Sequence, residues 1–562
     1  MMKETHPFPW KKIYQELNIQ TPEFPGKTVA EHIRQHATEK GDSVAIDFLA
    51  SELTFSELED YANRFANLLL KHGCKRGDVI GIHLPNCPQW LIAIVGISKI
   101  GCVISGISPL LAPSEIAYQV NDSGIKLLLS TDSLATTSLS AIETPTPCLE
   151  TVLVTKIDDT SPGEKTPAEL PVISAAQVID FRSSILKSDA TPILESMDEQ
   201  EIMAIMYTGG TTGPPKGAEL TMYNMMYNIE QLYAIINTEI EGNVMTPSPI
   251  FHVAGMSMII LILRLGLCTV LVPNPRELDT ICSALNRRPP SYFAAVPTLY
   301  QMLYNREDFR SVDFSKLVIA GTGAAPITQE QRNQLSTLFG KDKFFEVFGM
   351  TETSPTQLGN PKKRFKQNSV GIPIPETEVR IVDLETGTKE MPFGEPGEII
   401  CRGPQIMKGY HGKPKETANA LKEFRGHTWM YTGDIGHMDE EGYVFIRDRA
   451  KDMLVVGGFK VFSVEVEDKL KNIPWVLMSA VVGIPDEARP GNDLVHLVVQ
   501  RSPEVSDRDE ESLREELISF CRKNMAPYKI PKVIIFADAI PLTGVGKLDK
   551  KLLRQQVVEG TF

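Results

Sequence analysis

The sequence predicts a multidomain α/β and α+β protein. A large N-terminal domain of parallel and mixed sheets flanked by helices is followed by a small β-barrel-like unit and a small C-terminal α+β domain. Three observations lead there. Apolar strand-like runs alternate with helical stretches through most of the chain, the pattern of covered, largely parallel sheets. Around 370–447 the texture changes to short β-runs punctuated by Gly and Pro, which suggests hairpins in an antiparallel unit. After Arg447 a strand, helix, strand, strand, helix, strand series runs to the end, and about 110 residues suffice for an independent domain. The expected division is 1–447, with the antiparallel unit at 370–447, and 448–562.

The elements follow in order. Thr54 and Glu57 form a capping box that opens a helix running to Gly73. Leu58, Tyr61, Ala62, Phe65, Leu68 and Leu69 make its apolar face. Val79–Leu84 reads as a strand, Trp90–Ile100 as an apolar helix and Ile125–Leu129 as another strand. Residues 131–200 are rich in Ser, Thr, Pro and Asp and read as a loop-rich connection. Glu201–Met206 is a short buried strand, and alternation continues to about 345. The run Val253–Val272 is split by Arg264 and Gly266, so it reads as a buried helix followed by a strand, not a membrane span. Glu378–Val382, Gly397–Cys401 and Tyr443–Ile446 are the β-runs of the antiparallel unit. Glu510–Lys523 is an amphipathic helix of the C-terminal domain.

Composition narrows the function classes. Hydrophobic residues make up 42% and charged residues 23% of 562, ordinary for a soluble globular protein. A net charge of −14 speaks against a nucleic-acid binder, which usually carries a basic face. It leaves anionic small ligands open, because local lysines and helix N-termini decide those sites. The eight cysteines are dispersed, with no C-x-x-C and no His at metal-ligand spacing. Free thiols in a reducing compartment follow, hence a cytoplasmic protein. The N-terminus, broken by prolines, has no apolar signal core. No membrane span is expected, and transient membrane association stays open.

The chemistry gathers in a few stretches. Tyr207-Thr-Gly-Gly-Thr-Thr-Gly-Pro-Pro-Lys-Gly217 leaves a strand end with four glycines, three threonine hydroxyls and one lysine. Such a loop cradles an anion, most often phosphate, with backbone N–H groups, Thr hydroxyls and an ammonium. It is not a P-loop, since Pro215 precedes Lys216 and Gly217 stands where the metal-binding hydroxyl belongs. Phe344-Phe-Glu-Val-Phe-Gly-Met-Thr-Glu352 ends an apolar run in a turn bearing Thr351 and Glu352. A carboxylate near a phosphate loop suits Mg²⁺, although a strand–turn–helix junction with Thr as cap reads the same way. Gly321-Thr-Gly-Ala-Ala-Pro326 follows the strand Leu317–Ala320, and its small residues let a flat ring lie against backbone. Asp434 and Arg449 could hold ribose hydroxyls or phosphate, while Asp434 after Gly433 also fits turn chemistry. Lys547 in Pro541-Leu-Thr-Gly-Val-Gly-Lys547 could bridge a carboxylate and a phosphate. His252, in Pro249-Ile-Phe-His-Val-Ala-Gly255, is either a packed core histidine or a pocket residue.

These motifs, in this order over roughly residues 28–550, resemble the adenylate-forming superfamily: acyl-CoA synthetases, adenylation domains and luciferases. The resemblance implies ATP, Mg²⁺ and CoA as partners of a small carboxylic acid. It makes Thr208, Gly209, Gly210, Thr211, Thr212, Gly213 and Lys216 the nucleotide-phosphate loop. Gly323, Ala324 and Ala325 become the adenine-binding turn and Phe348 the adenine stack, with Gly349 and Met350 beside it. Thr351 touches phosphate, Glu352 and Thr208 hold Mg²⁺, and Asp434 and Arg449 serve the ribose. Lys547 is the leading catalytic residue. Gly457, Gly458, Phe459 and Lys460 face CoA, and Phe251, His252, Gly255 and Thr322 line the acyl side.

Relatives turn the small C-terminal domain between half-reactions, so it is expected to be mobile, with Lys451 at the hinge. The sequence departs from the family pattern at Phe348, where Tyr is more usual, and at Ser463 and Val464, where the family frequently has Pro-Asn. The absence of an Asp near His252 disfavours an α-amino acid. The implied activity is an AMP-forming acid:CoA ligase on a medium- or long-chain fatty acid. An acyl-AMP ligase loading a carrier protein, an aryl acid:CoA ligase and a non-catalytic acyl or nucleotide sensor are the alternatives.

Overall fold

Two mixed sheets carry most of the first 410 residues of the structure, a computed structural model that describes residues 8–562 apart from 164, 175, 194, 209–213, 324, 326, 458 and 544–547. In the first sheet the strands lie in the order 372–373, 356–360, 344–349, 319–323, 292–294, 243–245, 268–271, 44–48 and 51–54. Its central strands are parallel and its edges antiparallel. The second sheet runs 409–410, 217–221, 202–207, 103–106, 79–83, 125–131, 151–155 and 177–180. It is parallel from 202–207 outward to 177–180 and antiparallel across 217–221 and 409–410.

Residues from both sheets and from helices Phe55–Lys71, Pro88–Lys99, Met222–Ile236 and Val253–Leu265 share one continuous apolar core. Each large aliphatic or aromatic side chain buried there contributes roughly 1.5–3 kcal/mol. Helix Pro88–Lys99 is buried at every residue, including Lys99, whose ammonium meets Glu59 at 2.7 Å. Without that partner a buried charge would cost on the order of several kcal/mol. The predicted capping box is present: Glu57 N–H donates to Thr54 Oγ1 at 3.2 Å, and Thr54 N–H donates to the Glu57 carboxylate at 2.8 Å. The 253–272 run is a helix to Leu265, a left-handed turn at Gly266 and a strand at Cys268–Leu271. No helix among the described residues is long and apolar enough to cross a membrane.

Three readings are corrected. Residues 131–200 hold more than loop: Thr151–Thr155 and Gln177–Asp180 extend the second sheet, and helix Phe181–Lys187 sets Phe181 against Phe65. The β-branched run around Val152 and Val154 is wholly buried, and that burial outweighs the polar surroundings. Gly321-Thr-Gly323 belongs to the strand Ile319–Gly323, not to the turn after it. The antiparallel sheet, 378–382, 397–402, 427–438 and 421–424 with 444–449 also on 427–438, includes Asp448 and Arg449. Ile372–Pro373 belongs instead to the first sheet.

After the hairpin 454–456/459–461, strands 476–485 and 493–501 pair antiparallel and 533–537 adds in parallel. Helices Ser463–Leu470, Glu510–Asn524 and Lys550–Glu559 accompany this small sheet, which has its own apolar clusters.

Candidate active site

The strand Ile202–Tyr207 leads into the Gly-rich loop, and Gly217–Thr221 leads out of it antiparallel. The loop is closed at its base by the Thr208 N–H, which donates to the Lys216 carbonyl at 3.0 Å. Gly217 must be glycine, since a Cβ would lie 2.6 Å from Ile205 and 3.3 Å from the Tyr207 ring. Gly209, Gly210, Thr211, Thr212 and Gly213 lie outside the described residues, as do Ala324, Gly458 and Lys547.

Lys216 and Glu352 converge on one side chain that the sequence did not single out. The Lys216 ammonium lies 4.4 Å from the centre of the Tyr410 ring, a cation–π contact. The Tyr410 hydroxyl donates to the Glu352 carboxylate at 2.6 Å. Tyr410 thus contacts a cation with its ring and an anion with its hydroxyl. Its backbone is fixed by pairing with Ala218, two residues beyond Lys216. Burial pushes the Glu352 carboxyl up; the Tyr410 hydroxyl, Lys216 and Arg449 pull it back. Glu352 is therefore within the electrostatic reach of Lys216 and Arg449 together.

Phe348 and Gly349 end one parallel strand, and Gly323 ends its neighbour, with Gly323 opposite Val347. Ligand sites in such sheets form at the carboxyl ends of strands. Gly323 and Gly349 leave no room for a side chain, as a Cβ would meet the Val347 carbonyl at 3.0 Å and the Pro355 carbonyl at 1.7 Å. Phe348 and Met350 are half-buried, Thr351 is buried and Ala325 is exposed. Strand alternation turns Thr322 to the face opposite Gly321 and Gly323. Its Oγ1 is buried with no hydrogen-bond partner.

Asp434 and Arg449 lie opposite each other on neighbouring strands, and Arg449 Nε donates to Asp434 Oδ1 at 3.1 Å. Two residues on, Lys451 is half-buried. Burial, and then Arg449, lower its ammonium to about 8, against the pull of Asp452 and Asp434. Just before it, Asp448 accepts hydrogen bonds from both the N–H and the Oγ of Ser463. Ser463 Oγ accepts from Lys550 Nζ at 2.6 Å, and Lys550 pairs with buried Glu467 at 2.7 Å. Burial raises the Asp448 carboxyl, opposed by Lys550 and Ser463.

On the acyl side, His252 caps helix Val253–Leu265, its Nδ1 accepting from the Ala254 N–H at 3.3 Å. Phe251 is half-buried. Gly255 is forced by close backbone approach, a Cβ falling 2.0 Å from the Pro249 carbonyl oxygen. The ring of Tyr292 lies against Gly321, 2.7 Å from where a Cβ would sit, and its hydroxyl faces the Met258 sulfur at 3.8 Å. On the small domain the Gly457 N–H donates to Asn492 Oδ1 at 2.7 Å, and exposed Phe459 stacks on Tyr528 at 4.5 Å. Lys460 is exposed.

Comparisons with known proteins give the family and the fold. The family model for AMP-binding enzymes matches residues 33–411, and that for the AMP-binding enzyme C-terminal domain matches 465–547. A long-chain-fatty-acid–CoA ligase of Bacillus subtilis (strain 168) is 32% identical over 98% of each chain. One of Escherichia coli O6:H1 is 31% identical over 94% of each. Among solved structures, ATP-bound MatB from Rhodopseudomonas palustris superposes with a TM-score of 0.79 at 25% identity, covering 94% of this chain and 98% of that one. An anthranilate CoA ligase bound to anthranoyl-AMP gives 0.82 at 24% identity, covering 95% and 98%, a likeness of fold.

Proposed function

The chain belongs to the AMP-binding enzyme family, and from that premise we propose that it is an AMP-forming acid:CoA ligase acting on a medium- or long-chain fatty acid. A substrate carboxylate oxygen attacks the α-phosphorus of ATP and pyrophosphate leaves. The CoA thiolate then attacks the acyl carbon of the adenylate and AMP leaves. The observation that carries this reading is the convergence of Lys216 and Glu352 on Tyr410, within reach of Arg449 and its partner Asp434.

In this reading the loop 208–213 and Lys216 hold the phosphates, and Phe348 and residues 323–325, at the end of the strand Ile319–Gly323, take the adenine. Asp434 and Arg449 take the ribose, and Lys547 bridges the two reacting anions. Residues 457–460 meet CoA, and Phe251, His252 and Gly255 line the acyl side. A domain division just after the strand 444–449, two residues beyond the expected 447/448, with the hinge at Lys451, belongs to the same proposal. So does a cytoplasmic location, supported by eight unpaired cysteines.

The donor set suits Mg²⁺. Among the described residues no cluster of three or more His, Cys, Asp or Glu could cage a metal. Glu352, with the Thr208 hydroxyl, offers the sparse protein ligation of an ion that arrives with a nucleotide. Bound there, Mg²⁺ would neutralise phosphate charge. Tyr410 orients the Glu352 carboxylate. Tyr410→Phe is expected to raise the KM for MgATP about tenfold, the scale of one hydrogen bond to a charged group, and to raise the Mg²⁺ needed for half-maximal pyrophosphate release. Initial rates over a Mg²⁺ titration check this.

The fatty-acid reading is supported by the two long-chain-fatty-acid–CoA ligases, which align along almost the whole chain. An aryl acid is the second reading, favoured by the ring of Tyr292, which lies against Gly321 at the end of the strand Ile319–Gly323. The test is pyrophosphate release over a panel of fatty, aryl and amino acids, with and without CoA. AMP and an acyl-CoA are the expected products. ADP as the nucleotide product would falsify the adenylate mechanism. Adenylate formation indifferent to free CoA would point to a carrier protein, and no release with any acid would point to a sensor.

A further inference from the structure

Both ends of the Gly-rich loop are tied to one helix that none of the sequence motifs includes. Helix Pro113–Ser123 carries Tyr118 and Asp122, four residues apart and therefore on one face. The hydroxyl of Tyr207, the residue that enters the loop, donates to Asp122 Oδ2 at 2.8 Å. The Tyr118 hydroxyl donates to the carbonyl of Pro215, immediately before Lys216, at 2.9 Å. The other oxygen of Asp122 takes the Lys413 ammonium at 2.5 Å, and that ammonium also lies 5.9 Å from the Tyr118 ring centre. This pair is largely withdrawn from solvent, the side chains being 20% and 14% exposed.

Lys413 is itself held. Its N–H donates to the Tyr410 carbonyl at 3.0 Å, and the neighbouring His411 N–H donates to the Gly217 carbonyl at 2.8 Å. One short turn, 409–413, therefore seats Lys216 on the Tyr410 ring and braces the loop's anchoring helix through Lys413.

We propose that Lys413, Asp122, Tyr118 and Tyr207 form a positioning clamp that fixes the spacing of the two loop ends, so that the loop fits the β- and γ-phosphates of ATP. The inference rests on the adenylating reading of the loop. None of the four needs to touch the nucleotide. Asp122 holds the entering end through Tyr207, and Tyr118 holds the leaving end at the carbonyl next to Lys216. Lys413 balances the Asp122 charge, which would otherwise stand unpaired near a site for polyanions. A cradle of backbone N–H groups works only at set spacing, because misplacement by about 1 Å can cost about a hundredfold in rate.

The clamp makes a distinction that general fold damage does not. AMP lacks the phosphates the loop would hold, and the thioester step starts after pyrophosphate has gone. In the full-length protein, Asp122→Asn and Lys413→Met should each weaken ATP binding, measured by calorimetry, about tenfold, the scale of one hydrogen bond to a charged group. AMP affinity should stay within about twofold, as should acyl-CoA formation from supplied acyl-adenylate. The double variant should be little worse than either single one, because both lose the same pair. Lys413→Arg should restore most of the ATP affinity. Unchanged ATP affinity in a folded Asp122→Asn variant overturns the clamp, and so does equal weakening of ATP and AMP. If the unaltered protein binds ATP but releases no pyrophosphate with any acid, the ligase reading fails, and the calorimetric comparison still decides the clamp.

Discussion

Lys547→Ala is expected to slow acyl-adenylate formation by about a hundredfold or more, the scale for losing one preorganised electrostatic stabiliser. A carboxylate and a phosphate repel each other as they close, and an ammonium between them offsets that repulsion. The base of the loop is firmly built. Leu542 and Leu548 form an antiparallel bridge, and the Asp549 N–H donates to the Pro541 carbonyl at 2.9 Å. Just beyond, Lys550 is anchored on Ser463 and Glu467. The substitution should therefore remove a charge without loosening the domain. Pyrophosphate release should fall while acyl-CoA formation from supplied acyl-adenylate survives. Equal loss in both half-reactions would mean that Lys547 acts structurally or elsewhere.

Lys451→Pro should separate the half-reactions in the opposite sense. Both chemistries use one pocket, yet Lys547 and the loop at Gly457 lie about ninety residues apart in one small domain. Proline fixes φ, removes an N–H and restricts the preceding residue, Ala450. Ala450 is already held, its N–H donating to the Gly433 carbonyl at 2.9 Å, so the freedom for a turn has to come from the residues after it. The variant should release pyrophosphate in its first turnover and make almost no acyl-CoA. Rapid-quench product analysis reads both. Near-normal acyl-CoA output from folded protein would remove Lys451 from the hinge and leave the ligase reading intact.

Much of this site was legible in the sequence because its chemistry is local. Thr54 and Glu57 announce a helix start, and the Gly-Thr loop follows a buried strand. Thr351-Glu352 follows another, and these patterns need only neighbours in the chain. Tyr410, Asp122, Lys413 and Tyr118 were not legible. Tyr410 reaches Glu352 across 58 residues and Lys413 reaches Asp122 across 291, and nothing in the local pattern marks a Tyr or a Lys as the far end of such a contact. Thr151–Thr155 was hidden for another reason. Five residues of strand chemistry sat inside a long polar stretch, and the average obscured them. Gly321 and Gly323 read as a turn because glycine favours turns, whereas they thin a strand so that Tyr292 and Val347 can crowd its face.

The contacts of Ser463 bear on how the small domain comes to rest. Asp448 stands before Lys451 and Ser463 after it, so a swing about the hinge proposed at Lys451 would part them. Glu467 and Lys550 both lie beyond Lys451 and travel together, so their ion pair survives the movement. Asp448 alone is left behind, a buried carboxylate stripped of the two donors that Ser463 gives it. The posture seen here thus has a catch with a definite release cost, set by one serine. Where the family more often has proline at this position, the backbone N–H and the hydroxyl are both absent, and the same swing would start from a shallower well. A single side chain can in this way bias which half of a two-step cycle the resting enzyme is poised to begin.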